Sequence, residues 1–164
     1  MNLFIIRHAQ AGHFGDPQWP DDSQRPLTDE GRERFASMIG QLVGRGFSPE
    51  IIATSPLMRC SQTAEIIAEG VKRDPEVIEL DSLMPGLDLQ KLLAWTNEQG
   101  REFRNIAWVG HAPDVGRVTS ELCGERGMWI RFNKGSIASI RFHGPAAPSG
   151  GELRWLVTPK VLGC

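Results

Sequence analysis

The 164-residue chain is poor in the features that most readily betray a function. It has only three cysteines, Cys60, Cys123 and Cys164, widely spaced and with no CxxC pair. That excludes a disulfide framework and a cysteine zinc site, and makes a reducing cytoplasm the expected setting. Neither sign of charge is in excess: 18 Lys and Arg against 20 Asp and Glu leave a formal net charge of -2. Such a balance speaks against a general nucleic-acid binder. No apolar run approaches the length of a membrane span, and the N-terminal one, Leu3 to Ile6, stops at Arg7, too short for a secretory leader. A glycine loop followed by lysine is missing, which disfavours nucleoside triphosphate chemistry. Clustered carboxylates are missing too, which disfavours a divalent-metal hydrolase. No metal and no cofactor are therefore expected. The length suits one domain, residues 1–164, with a substantial core.

What is present begins with Leu3-Phe4-Ile5-Ile6-Arg7-His8-Ala9. Four consecutive apolar residues predict a strand buried on both faces. Arg7 and His8 then fall at its C-terminal edge, where open α/β sheets hold ligands. A guanidinium fork matches phosphate oxygens, and a neutral imidazole has a lone pair that makes it a nucleophile. The pair points to attack on an anionic centre such as phosphorus, although a dipeptide alone equally fits an ordinary surface.

The loop from Gly12 to Pro26 is rich in Pro, Gly and Asp and borders the same edge; His13 within it reads as solvated. Thr28 caps a helix whose Phe35, Met38, Ile39, Leu42 and Val43 form one apolar face, ended by Gly44 and Gly46. A second strand, residues 50–54, leads to Ser55-Pro56, read as a cap and first-turn proline of a helix burying Leu57, Cys60, Ala64, Ile67 and Val71. Arg59 lies one turn in and off that stripe. If the first two strands are neighbours, it faces Arg7 and His8. A third strand spans 77–80, and Asp88 caps a helix with Leu89, Leu92 and Leu93 inward. A fourth, 105–109, ends at Gly110-His111, repeating the strand-then-histidine pattern, and Asp114 caps a helix carrying Val115, Val118 and Leu122. The tail alternates over 136–142 and 152–157 around a Gly/Pro/Ala/Ser-rich link, a hairpin with an isolated His143 at its edge. The β-α-β-α order predicts a three-layer α/β/α domain with a mostly parallel central sheet. In such a sheet Arg7, His8, Arg59 and His111 share one edge and gather around one cavity.

Four segments in this order and rough spacing resemble the histidine phosphatase superfamily, the phosphoglycerate mutase-like fold: Arg7-His8-Ala9, Leu27-Thr28-Asp29-Glu30-Gly31, Ser55 to Ala64, and Val109-Gly110-His111. The resemblance covers nearly the whole chain. Its short length, Ser136-Ile137-Ala138-Ser139 and Trp155-Leu156-Val157-Thr158-Pro159 are most similar to the compact phosphohistidine phosphatases of that superfamily. The resemblance implies a two-step hydrolysis in which His8 takes the phosphoryl group and water removes it. Arg7, Arg59 and His111 would hold the phosphoryl oxygens, and Arg25 would add a cation. The substrate would be a phosphohistidine of a phosphorelay protein, or else a small phosphate ester. A phosphate-binding adaptor without catalysis is a third reading, which the intact nucleophile argues against. The oligomeric state is open, with a monomer compatible.

Two positions depart from the family pattern. Ala9 stands where glycine is frequent, and the segment from Asp81 to Asp88 is too short to carry the glutamate acid of larger members. Asp16, Asp22, Asp81 and Asp88 are the candidate acids, each equally readable as a turn or cap residue. An imidazole leaving group demands less acid assistance than an alkoxide, so a pocket without an acid favours phosphohistidine.

Overall fold

Apolar runs buried on both faces demand a sheet covered on both sides, and that is the architecture found. The computed structural model describes residues 1–125 and 127–164. Strands β1 (Asn2–Arg7), β2 (Ile51–Thr54), β3 (Glu76–Glu79), β4 (Asn105–Gly110), β5 (Ile137–Phe142) and β6 (Gly151–Val157) form one sheet in the order β3-β2-β4-β1-β5-β6. The pairs β3/β2, β2/β4 and β4/β1 are parallel; β5 runs antiparallel to both β1 and β6. The expected mostly parallel α/β/α sheet with a closing hairpin is therefore present.

Alternate side chains of each strand serve opposite layers. Phe4 and Ile6 pack with Phe35, Met38 and Ile39 of α1 (Asp29–Val43) and with Cys60, Ala64 and Ile67 of α2 (Met58–Gly70). Leu3 and Ile5 pack on the other face, with Leu92 of α3 (Leu89–Gln99) and Val115, Val118 and Leu122 of α4 (Asp114–Leu122). Trp108 of β4 is fully buried there, its indole N–H donating to Thr96 Oγ1 at 3.0 Å. Thr28 and Asp88 cap α1 and α3 as expected, accepting from Gly31 N and Lys91 N.

Three local readings change. First, β1 and β2 are not neighbours: β4 lies between them, which puts His111 between the elements that carry His8 and Arg59. Second, α2 starts at Met58 with Leu57 as its cap position, so Ser55-Pro56 lies in the connecting turn and Ser55 is released for another partner. Third, Asp114 is inside α4, behind Pro113 at the cap. Its carboxylate instead accepts from Gly86 N at 2.8 Å and pairs with Arg117 at 3.3 Å. Among the described residues no helix is long and apolar enough to cross a membrane.

Candidate functional site

Parallel strands β1, β2 and β4 end on the same side, and a cleft of about 500 Å³ opens there, lined by Arg7, His8, Arg25, Arg59 and His111 together with Asp22 and Asp114. The quartet expected from the sequence thus shares one cavity. The His8 and His111 ring centroids are 5.5 Å apart, and Arg59 Nη2 stands 3.5 Å from His111 Nδ1.

His8 is held from its backbone outward. Its amide donates to Gly110 O at 3.0 Å, and its carbonyl accepts from Gly135 N at 3.0 Å. The adjoining Ala9 amide donates to Thr63 Oγ1, which donates in turn to Arg59 O. Nδ1 lies 2.8 Å from Ala9 O. A carbonyl only accepts, so Nδ1 carries the proton and Nε2 keeps the lone pair. Burial pulls the His8 pKa down to about 3; the Ala9 hydrogen bond opposes this, while His111, Arg59 and Arg7 add to it. His8 is therefore neutral at physiological pH, with a defined tautomer.

His111 is wired through side chains. Arg59 can only donate, so Nδ1 accepts and Nε2–H donates to Ser55 Oγ at 2.9 Å. Burial first, then Arg59, lowers its pKa to about 4, against Asp114 and Asp22. The Cys60 thiol packs 3.5 Å from Nε2, and burial pushes its pKa up to about 12. That makes it an uncharged packing group and no nucleophile.

The arginines are anchored on their outer sides. Arg7 Nη1 donates to Phe132 O at 2.8 Å. Arg59, which the helical stripe placed off the buried face, is only 4% exposed, because it turns back over the sheet edge. Asp22 binds Arg25 Nε at 2.7 Å through one oxygen and Arg59 Nη1 at 3.1 Å through the other. Arg25 is buried, and its Nη1 donates to Gly12 O at 2.8 Å. Both Arg7 Nε and Arg59 Nε are buried without a partner among the described residues.

The candidate acids separate clearly. Burial resists ionisation of Asp22, but its hydrogen bond to Arg25 and the charges of Arg59 and Arg25 outweigh it, and its pKa falls below the ordinary carboxylate range. It is an anchor for two guanidiniums and holds no proton to give. Asp16 accepts from Gln18 N in a local turn, Asp81 opens a short 3-10 turn, and Asp88 caps α3; none of the three lines the cleft. His13 is exposed as expected. His143, read as isolated, lies 3.7 Å from Glu152 on the neighbouring strand. Sequence reasoning missed Ser55, disguised as a helix cap, and the anchoring role of Asp22. The signal for Ser55 was its place directly after a strand, the same place that marks His8 and His111.

A close approach explains the Leu27-to-Gly31 motif. A Cβ at Gly31 would collide with the Gln10 carbonyl oxygen, so glycine lets the first turn of α1 lie against the segment that follows His8. Gln62 Oε1 accepts from Leu27 N at 2.9 Å and ties α2 to the same strip.

The model of the histidine phosphatase superfamily (branch 1) matches residues 3–108. The chain belongs to that superfamily. A phosphohistidine phosphatase of Escherichia coli K12, SixA, is 30% identical over 99% of this chain and 96% of its own length. A Picosynechococcus protein of uncharacterised function is 33% identical over 99% of both chains. Among solved structures, the protein histidine phosphatase SixA complexed with tungstate superposes with a TM-score of 0.85 at 27% identity, over 99% of both chains. The chain is accordingly a phosphatase of the histidine phosphatase type. The family match ends before His111, so that member of the quartet rests on the geometry of the β4 edge.

Proposed function

We propose that the chain hydrolyses phosphohistidine on a signalling protein, through phosphorylation of His8. In the first step His8 Nε2 attacks phosphorus in line; the new P–N bond forms as the bond to the substrate imidazole breaks. The second nitrogen of that leaving ring carries a proton, so the ring departs as neutral imidazole. In the second step water attacks the phosphoryl group, the bond to Nε2 breaks, and neutral His8 is restored with release of inorganic phosphate and a proton. Splitting the transfer replaces one difficult displacement by two easier ones. Arg7 and Arg59, with Arg25 behind them, hold the phosphoryl oxygens and balance their charge, and neutral His111 joins them by turning its Nε2–H from Ser55 to a phosphoryl oxygen, so catalysis is mainly positioning and electrostatic.

The observation that carries the substrate class is the state of the two carboxylates in the cleft. Asp22 is committed to Arg25 and Arg59, and Asp114 to Gly86 and Arg117. With neither placed to donate a proton, a leaving group that needs none is favoured over an alkoxide. The E. coli relative's phosphohistidine phosphatase name agrees with this reading. Three free cysteines fit a cytoplasmic setting. The deciding experiment compares kcat/KM for proteins phosphorylated on histidine with that for a panel of sugar and glycerol phosphate esters. Higher values on the phosphohistidine proteins are expected. Equal or better turnover of an ester would assign the chain to small-molecule phosphate chemistry.

A further inference from the structure

Arg7 stands at a junction. It lines the catalytic cleft and also a separate pocket of about 310 Å³ between the start of α1 and the segment leading into β5. That pocket is also lined by Arg34, Lys134 and Lys160, and by no Asp or Glu among the described residues. Arg34 is occupied, donating to Cys164 O at 2.8 Å and lying 3.4 Å from Glu30. Lys134 and Lys160 form no ion pair among the described residues.

We propose that this flanking pocket is a second anion site, which receives an acidic side chain of the phosphoprotein substrate while the phosphohistidine occupies the cleft. The proposal rests on the phosphohistidine reading above. Three independent features converge on it. The first is positive charge in excess of its counter-ions: Glu30 serves Arg34 alone, Lys134 and Lys160 have no ion pair among the described residues, and partial burial and then the charges of Arg7 and Arg25 pull the Lys134 pKa down. An arriving carboxylate would relieve that repulsion. The second is position, since Arg7 borders both cavities and a ligand filling both must be larger than a single phosphoryl group. The third is the rim. Phe14 lines the cleft, and Trp129, 87% exposed, lines a further hollow that also borders Arg7. Large exposed apolar side chains framing a polar site are a mark of protein contact. A protein surface presents its anionic groups as Asp and Glu, which selects a carboxylate as the occupant.

The test has two arms. In the first, tungstate saturates the cleft and citrate, a soluble carboxylate, is titrated by calorimetry. The intact protein should still bind citrate, and Lys134→Glu should weaken that binding at least tenfold, with Lys134→Arg restoring it. Loss of citrate binding on tungstate addition, or indifference to Lys134→Glu, would overturn the pocket. The second arm compares a phosphohistidine peptide flanked by Asp with the same peptide flanked by Asn. The Asp peptide should have the lower KM, and Lys134→Glu should raise its KM at least tenfold more than that of the Asn peptide. Equal response of the two peptides would overturn the substrate role. Turnover of phosphate esters but of neither peptide would overturn the phosphohistidine reading instead, with the calorimetry still deciding the pocket.

Discussion

The ends of β1 and β4 carry the same motif, a buried strand running into a histidine, yet the two rings are fixed by different means. His8 is held by main chain alone: its tautomer is set by the carbonyl of the next residue. His111 is held by side chains, Ser55 on one nitrogen and Arg59 on the other. A backbone acceptor cannot rotate or titrate, so His8 presents one lone pair under all working conditions. A hydroxyl both donates and accepts, so Ser55 can change its role toward Nε2. His111 can therefore change its hydrogen bonds during the reaction while His8 cannot. In the proposed mechanism, the residue that makes and breaks the covalent bond has the stiffer mount.

The largest effect should come from breaking the stiff side of this pair. His8→Ala should abolish turnover and leave no acid-labile phosphate on the protein in a rapid-quench experiment; near-normal activity would end the covalent scheme. Loss of the charged partners comes next. Arg7→Ala or Arg59→Ala should lower kcat/KM on the order of 10²–10³, by comparison with loss of one oxyanion-hole donor. Asp22→Asn should lower activity by a similar factor on phosphoramidate and on an alkyl phosphate ester, because it loosens both arginines whatever the leaving group. A much larger loss on the ester would return Asp22 to the role of acid.

Ser55→Ala tests the adjustable side. Removing one hydrogen bond worth about 1 kcal/mol should slow turnover roughly fivefold. It should also change the tautomer signature of His111 in ¹⁵N NMR and leave that of His8 in place. The last effect is on stability and is confined to acid. Both histidines have folded-state pKa values, about 3 and about 4, below the usual 6.5. Between those values and 6.5 the unfolded chain binds more protons than the folded one. Stability should therefore be full above about pH 6.5 and fall as the pH drops toward 3. A scan of Tm against pH should show this decline, and His111→Asn should flatten part of it.

This pair also marks how far the sequence could be read. Strand ends are legible because a continuous apolar run stops abruptly at a polar residue, and His8 and His111 both announce themselves that way. The helices were legible from their apolar faces, as in Phe35, Met38 and Ile39. Strand order was not, because periodicity says how a strand is buried and nothing about its neighbours; hence β4 came to lie between β1 and β2. Ser55 was hidden because Ser-Pro after a strand matches a helix start equally well. Asp22 was hidden because its partners, Arg25 and Arg59, are brought together by a loop whose path follows no repeating pattern. The burial of Arg59 was missed for a related reason: a helical wheel assigns faces to positions, and a long side chain can reach past its own face.

The segment just ahead of β5 donates Gly135 N to the carbonyls of both Arg7 and His8 and accepts the Arg7 amide on Ser136 O. Arg7 and His8 are thus braced by residues more than a hundred positions further along the chain. In the proposed mechanism the nucleophile, His8, is made well before its seat, which is complete only once the later segment has been synthesised and has docked. On that mechanism, competence to take a phosphoryl group arrives only with this segment, and a product terminated ahead of it would be silent.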